Sequence, residues 1–216
     1  MQFNIANSPT RLIDFRVVIM KKPYSESCDQ NQEVILSVLA PLLLSSSNVL
    51  EIGSGTGQHA LYFAENMPHL VWHTSDCQSY HAGINAWLSD ACLTNVKEPF
   101  ELDVSKSNWP EMEVDAIFTA NSVHIMNQLD VENLIQGAGA LLKEKGGLII
   151  YGPFNYAGAY TSDSNERFDQ WLKDRDSKSG IKHFEDIELL AKKHGLQLVS
   201  DYEMPANNRI LHYKKS

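Results

Sequence analysis

The stretch Asn48-Val49-Leu50-Glu51-Ile52-Gly53-Ser54-Gly55-Thr56-Gly57-Gln58-His59-Ala60 decides the fold. A short strand, Asn48 to Ile52, runs straight into glycines at alternate positions, and a helical run from Gln58 to Asn66 follows, ended by Pro68. Glycines there let the backbone turn sharply and let a ligand approach main-chain N–H groups at a helix N-terminus. The spacing is G-x-G-x-G. A dinucleotide fingerprint, G-x-G-x-x-G, needs glycine where Gln58 stands. Ser54 is no hydrolase nucleophile, because G-x-S-x-G needs glycine two before and two after it, where Ile52 and Thr56 stand. Taken alone, the glycines also fit a tight turn that binds nothing.

Outward from this loop, short apolar runs alternate with helical stretches, the pattern of a parallel sheet covered by helices. Helices are expected over Glu33–Leu44, Ser79–Ala91, Val131–Leu142, Glu166–Lys173 and Phe184–Lys193. Strands are expected over Leu70–Ser75, Pro99–Leu102, Val114–Thr119 and Leu148–Tyr151, with Gly146-Gly147 stopping the helix before the last. Leu196–Ser200 and Arg209–Tyr213 close the chain as a hairpin, hence as antiparallel neighbours, since parallel neighbours need a long crossover. Residues 22–216 read as one domain, and residues 1–21 as an N-terminal extension.

Two more acids join the loop. Asp76 ends the second strand, placed to accept hydrogen bonds from both ribose hydroxyls of an adenosyl group, with Cys77 beside it as a small apolar wall. Asp103 follows the third strand and suits an adenine amine, with Val104 against the ring. Either Asp alone is an ordinary cap or turn residue. Together with Glu51 they fall on the carboxyl edge, where open α/β sheets bind ligands.

The set resembles the class I S-adenosylmethionine-dependent methyltransferases, over about residues 30–213. Five blocks look like the methyltransferase-like protein 26 family: residues 49–60, Ala120-Asn121-Ser122-Val123-His124-Ile125, Tyr151-Gly152-Pro153-Phe154, Ser164-Asn165-Glu166-Arg167-Phe168-Asp169, and Met204-Pro205-Ala206-Asn207-Asn208. Met126-Asn127 depart from the family's Ser-Pro. The resemblance implies a three-layer α/β/α sandwich with a Rossmann-like seven-stranded sheet, order 3-2-1-4-5-7-6, last strand antiparallel. It also implies S-adenosylmethionine as cofactor, held by Glu51 at the amino group, by Gly53, Gly55 and Gly57, and by Asp76, Cys77, Asp103, Val104 and Asn121. The methyl would pass to a small-molecule acceptor. Past strand four, Asn121 would orient the acceptor and His124 would act as base, since histidine titrates near neutral pH. Tyr151, Phe154, Tyr156, Asn207 and Asn208 would contact the acceptor, under a mobile cover at Gly152–Ser164. The alternatives are a non-catalytic module on the same fold and an NAD-linked oxidoreductase, which position 58 disfavours.

Composition narrows the partners. Eighteen Lys and Arg against 27 Asp and Glu give −9 at pH 7, which repels a phosphate backbone, so no nucleic acid is expected. The longest apolar stretch, Val34–Leu44, is too short for a spanning helix, so no membrane partner is expected either. Cys28, Cys77 and Cys92 share no C-x-x-C spacing, and His69 and His73 lack a third ligand, so no metal or disulfide is expected and the cytoplasm is the expected compartment.

Overall fold

The computed structural model describes residues 22–216, so the extension expected at residues 1–21 lies outside the described residues. The first helix, α1 (Glu26–Leu42), starts two turns before the expected Glu33. Ser25 caps it, its Oγ accepting from Cys28 N at 3.3 Å. Gln58 then pins the cap, its Oε1 accepting from Ser25 N at 2.6 Å and its Nε2 donating to Ser25 O at 3.2 Å.

In chain order there follow β1 (Asn48–Ile52), α2 (Gln58–Asn66), β2 (Val71–Asp76), α3 (His81–Ala91), β3 (Val96–Glu101), β4 (Val114–Ala120) and α4 (Gln128–Leu141). Then come β5 (Leu142–Gly152), α5 (Asp163–Arg175), α6 (Phe184–Lys193), β6 (Leu196–Met204) and β7 (Asn208–Lys215). The seven strands form one sheet, ordered β3-β2-β1-β4-β5-β7-β6. The first five are parallel, and β7 runs antiparallel to both β5 and β6. A two-residue ladder pairs Phe154 and Asn155 with Lys182 and His183 beyond the sheet.

Gly146 and Gly147 do not stop a helix. α4 has already ended at Leu141, and both glycines lie inside β5. Close packing explains them: a Cβ on Gly146 would stand 2.8 Å from Lys143 O, and one on Gly147 would stand 3.2 Å from His212 Nε2.

Strand alternation divides the core between the two faces. Val49, Trp72, Phe118 and Ile149 face α1 and α2, where Ile35, Leu39 and Phe63 meet them. Leu50, Ile117, Leu148 and Leu211 face α4 and α6, where Leu134, Ile135 and Ile187 complete the layer. The parallel strands present their carboxyl ends along one edge, and the site lies there.

Candidate functional site

A cavity of about 1200 Å³ opens at that edge. One end is built by backbone. Gly53 N and Ser54 N both donate to Ser75 O at 3.0 Å, tying the loop after β1 to the end of β2. Gly53, Gly55 and Gly57 take φ of +76°, +58° and +89°. Their surroundings differ. A Cβ on Gly53 would meet Ser122 Oγ at 2.7 Å, and one on Gly57 would meet Ile84 Cα at 3.0 Å. A Cβ on Gly55 would meet nothing within 4 Å, and Gly55 lines the cavity. Gly57 therefore serves the contact between α2 and α3, while Gly55 leaves room for a ligand.

Asp76 locks this end. Its Oδ2 accepts from Gly55 N and its Oδ1 from Cys77 N, both at 2.7 Å. Burial pushes its carboxyl up despite these donors. Each oxygen keeps a second lone-pair direction, which suits a pair of hydroxyl donors. Asp103 is held below the usual range by the Ser105 hydroxyl, 2.6 Å from its Oδ1, and by Ser105 N at 3.0 Å. Cys77 and Val104 line the cavity with them. Glu51 lies behind the wall, 1 % exposed, its Oε2 accepting from Trp72 Nε1 at 3.2 Å. Burial pushes its carboxyl up to about 7.

The other end is built by side chains. Asn121, at φ +58°, donates its N–H to Tyr151 O at 2.9 Å and so joins the ends of β4 and β5. Asn tolerates this left-handed geometry better than most residues. His124 lies just beyond, its ring edge-on to Phe168 at 5.1 Å between centroids. Burial, and the charge of Lys182, push His124 down to about 4. Both act against the base role expected from the sequence, since they disfavour the protonated ring.

Among the acceptor contacts expected from the sequence, Tyr151 and Asn208 line the cavity. Phe154 does not, being buried in the core on the α4 side. Tyr156 does not either: its ring stacks on Phe184 at 5.1 Å and its hydroxyl donates to Asp201 at 2.8 Å. Asn207 instead braces α5, its Nδ2 donating to Ser164 Oγ and its O accepting from Asn165 Nδ2. The Gly152–Ser164 segment is tied rather than free. Ala157 N donates to Glu185, and Tyr160 donates to Asp169, which also takes Lys173 Nζ and Ile181 N. The cover over the cavity comes from α5 and the first turns of α1.

Sequence reasoning missed Asn31, His59, Phe168, Trp171 and Arg175 as lining groups. His59 Nε2 is 2.7 Å from Asn31 Oδ1, and Asn31 also faces the Tyr151 phenol. Burial pushes His59 down to about 4. A usable signal existed for the α5 pair: Phe168 and Trp171, three apart, are aromatic on a helix that is otherwise polar but for Leu172.

A family model described as "Protein of unknown function (DUF938)" matches residues 22–215. The chain belongs to the DUF938 family. This DUF938 chain shares its fold with solved methyltransferases. An O-methyltransferase family protein from Burkholderia thailandensis superimposes with a TM-score of 0.78 at 14 % identity, covering 88 % of this chain and 58 % of that one. Human N-acetylserotonin methyltransferase, solved with SAM, gives 0.74 at 15 %, covering 88 % and 53 %. An O-methyltransferase family 2 protein from Planctomyces limnophilus, solved with apigenin, gives 0.70 at 14 %, covering 86 % and 62 %. The DUF938 chain thus spans little over half the length of these proteins, and at such identities the likeness is one of fold. The seven-stranded order and the antiparallel last strand expected from the sequence are those of this methyltransferase Rossmann-like fold.

Proposed function

We propose that this protein is an S-adenosylmethionine-dependent methyltransferase acting on a small-molecule acceptor. The observation that carries the reading is one cavity with two dissimilar ends, the first matched to an adenosyl group. Asp76 and Asp103 offer acceptors there, Val104 and Cys77 offer apolar wall, and the open face of Gly55 leaves room for a ligand's backbone approach. Glu51, beneath the loop, would hold the cofactor's amino group directly or through water. When bound, S-adenosylmethionine supplies an electrophilic methyl whose sulfur is already a good leaving group.

The chain's own task is then alignment and exclusion of water, and positioning alone supplies up to about 10 kcal/mol. Asn121 orients, held in its left-handed conformation by Tyr151 O. His124 contributes a neutral hydrogen-bonding edge rather than a strong base, because protonating it so deep beside Lys182 is unfavourable. The neighbours solved with SAM and with apigenin support both compartments of this reading, as does the resemblance to the methyltransferase-like protein 26 family. The charge of −9 favours a small molecule over nucleic acid, and among the described residues no helix is long and apolar enough to cross a membrane. Calorimetric titration with S-adenosylhomocysteine tests the reading: micromolar binding that Asp76→Ala weakens supports it, and no binding at millimolar ligand overturns it.

A further inference from the structure

The far end of the cavity carries an aromatic wall and a cation on a chain that is strongly acidic overall. Phe168 and Trp171 stack with centroids 5.8 Å apart and planes at 18°, and the edge of His124 continues the wall. Trp171 remains 48 % exposed. A half-bare indole at a cavity mouth is apolar surface that a ligand can cover. Arg175, one turn on, lays its guanidinium over the same indole at 4.6 Å. Among the described residues no carboxylate lies within ion-pair distance of it, and it is the one Lys or Arg that lines the cavity.

Four carboxylates line the cavity, Asp76, Asp103, Asp130 and Asp176, and none is within ion-pair distance of this guanidinium. Asp76 and Asp103 belong to the opposite end, Asp76 accepting from Gly55 N and Cys77 N, and Asp103 from Ser105 and paired with Lys106. Asp130 takes Asn127 Nδ2 at 2.6 Å in the cap of α4. Asp176 takes Lys178 N at 2.9 Å in the turn after α5. Behind His124, Lys182 adds a second cation, donating to Met126 O and Gly180 O at 2.8 Å each. Arg175 is thus the cationic side chain of the cavity lining, at the end away from Asp76 and Asp103 and with Asp176 beside it in the chain.

We propose that the acceptor is a planar aromatic carboxylate, its ring against Phe168 and Trp171 and its carboxylate on the guanidinium of Arg175. This deepens the methyltransferase reading and rests on it for the word acceptor. Arg suits the role because its planar fork pairs both oxygens of a carboxylate while its face stacks on an aromatic. Its position in the last turn of α5 also complements the helix dipole, which keeps the guanidinium stable while it awaits a partner.

The test is a calorimetric titration of the full chain, with and without saturating S-adenosylhomocysteine. The probes are 4-hydroxybenzoate and indole-3-carboxylate, each against its amide, with tyramine as an aromatic cation. The proposal expects the acids to bind at least ten-fold tighter than their amides and tyramine weakest. Arg175→Met should erase the acid-over-amide preference, and Arg175→Lys should restore part of it. Trp171→Ala should weaken acid and amide alike by five-fold or more, and Trp171→Phe should recover most of that. All four variants lie on exposed positions, and their melting curves should stay within a few degrees of the parent. The proposal is overturned if amide or amine binds as tightly as acid, if Arg175→Met keeps the preference, or if no aromatic acid binds at millimolar concentration. Failure of S-adenosylhomocysteine to bind would instead count against the methyltransferase reading, while the Arg175-dependent preference would still be scored in the titrations without it.

Discussion

The two ends of the cavity are made of different material. The end under β1 and β2 is backbone: a glycine turn tied to Ser75 O, and a carboxylate that takes two main-chain N–H groups. The end under β4, β5 and α5 is side chain: Asn121, His124, Phe168, Trp171 and Arg175, drawn from two separate segments. Backbone sites tolerate little substitution, because the geometry is shared with the sheet. Side-chain sites can be rebuilt without touching the fold. That difference predicts where mutations cost stability and where they change only binding.

The largest effect should come from Gly57→Val. The position sits at φ +89°, and a Cβ would press on Ile84 Cα at 3.0 Å. Left-handed backbone and overpacking together should remove about 3 kcal/mol of stability. Trp171→Ala, at the opposite end and half exposed, should cost less than about 1 kcal/mol. Urea denaturation of both variants measures the contrast, and equal midpoints would break it.

Next in size is Asp76→Ala, which should weaken S-adenosylhomocysteine by about 1.5–3 kcal/mol, since hydrogen bonds to a charged group are lost. His124→Ala should leave that affinity within about two-fold. If the two variants weaken it equally, the division of the cavity into two compartments is wrong.

The same difference decides what was legible in the sequence. The glycine loop, Asp76 and Asp103 sit at fixed offsets from strands, so alternation and turn chemistry were enough to locate them along the edge. The β6–β7 hairpin was legible for the same reason: its short turn allows only antiparallel neighbours. Tyr156 shows why the other end was not. It lies only four residues past β5, close to Pro153, which lines the cavity, yet Asp201 and Phe184, some thirty to forty-five residues away, draw its ring elsewhere. The start of α1 was missed likewise, because Gln58, a long-range partner, fixes Ser25 as its cap. The glycine pair in β5 looked like a helix stop when its cause is close packing, on Lys143 O for Gly146 and on His212 across the sheet for Gly147.

A third effect concerns turnover. With an acceptor in hand, Asn121→Ala and His124→Ala should each lower kcat about ten-fold, or about 1.4 kcal/mol of barrier, with cofactor affinity kept. Because burial holds His124 near 4, the pH–rate profile should show no limb near pH 6.5. A clear limb there that vanishes in His124→Ala would return the histidine to the role of a base.

The smallest effect compares the two ends by titration. Glu51, under the glycine loop, is raised from 4.5 to about 7, and His124, at the far end, is lowered from 6.5 to about 4. Burial favours the neutral form in both, but the two slopes oppose each other. A carboxyl raised on folding takes up a proton, so its contribution is present at acid pH and lost as pH rises through 7. A histidine lowered on folding releases one, so its contribution is present above pH 6.5 and lost as pH falls through 4. Relative to Glu51→Gln, the parent chain should therefore lose about 1 kcal/mol between pH 6 and 8. Relative to His124→Gln, it should lose about 1 kcal/mol between pH 6 and 5. Denaturant titrations of the three proteins at pH 5, 6 and 8 supply every term. If Glu51 holds the cofactor's amino group, ligand binding must also ionise it, so S-adenosylhomocysteine should release protons on binding near pH 7. Calorimetry in buffers of different ionisation enthalpy counts those protons, and a count of zero would remove Glu51 from the cofactor end.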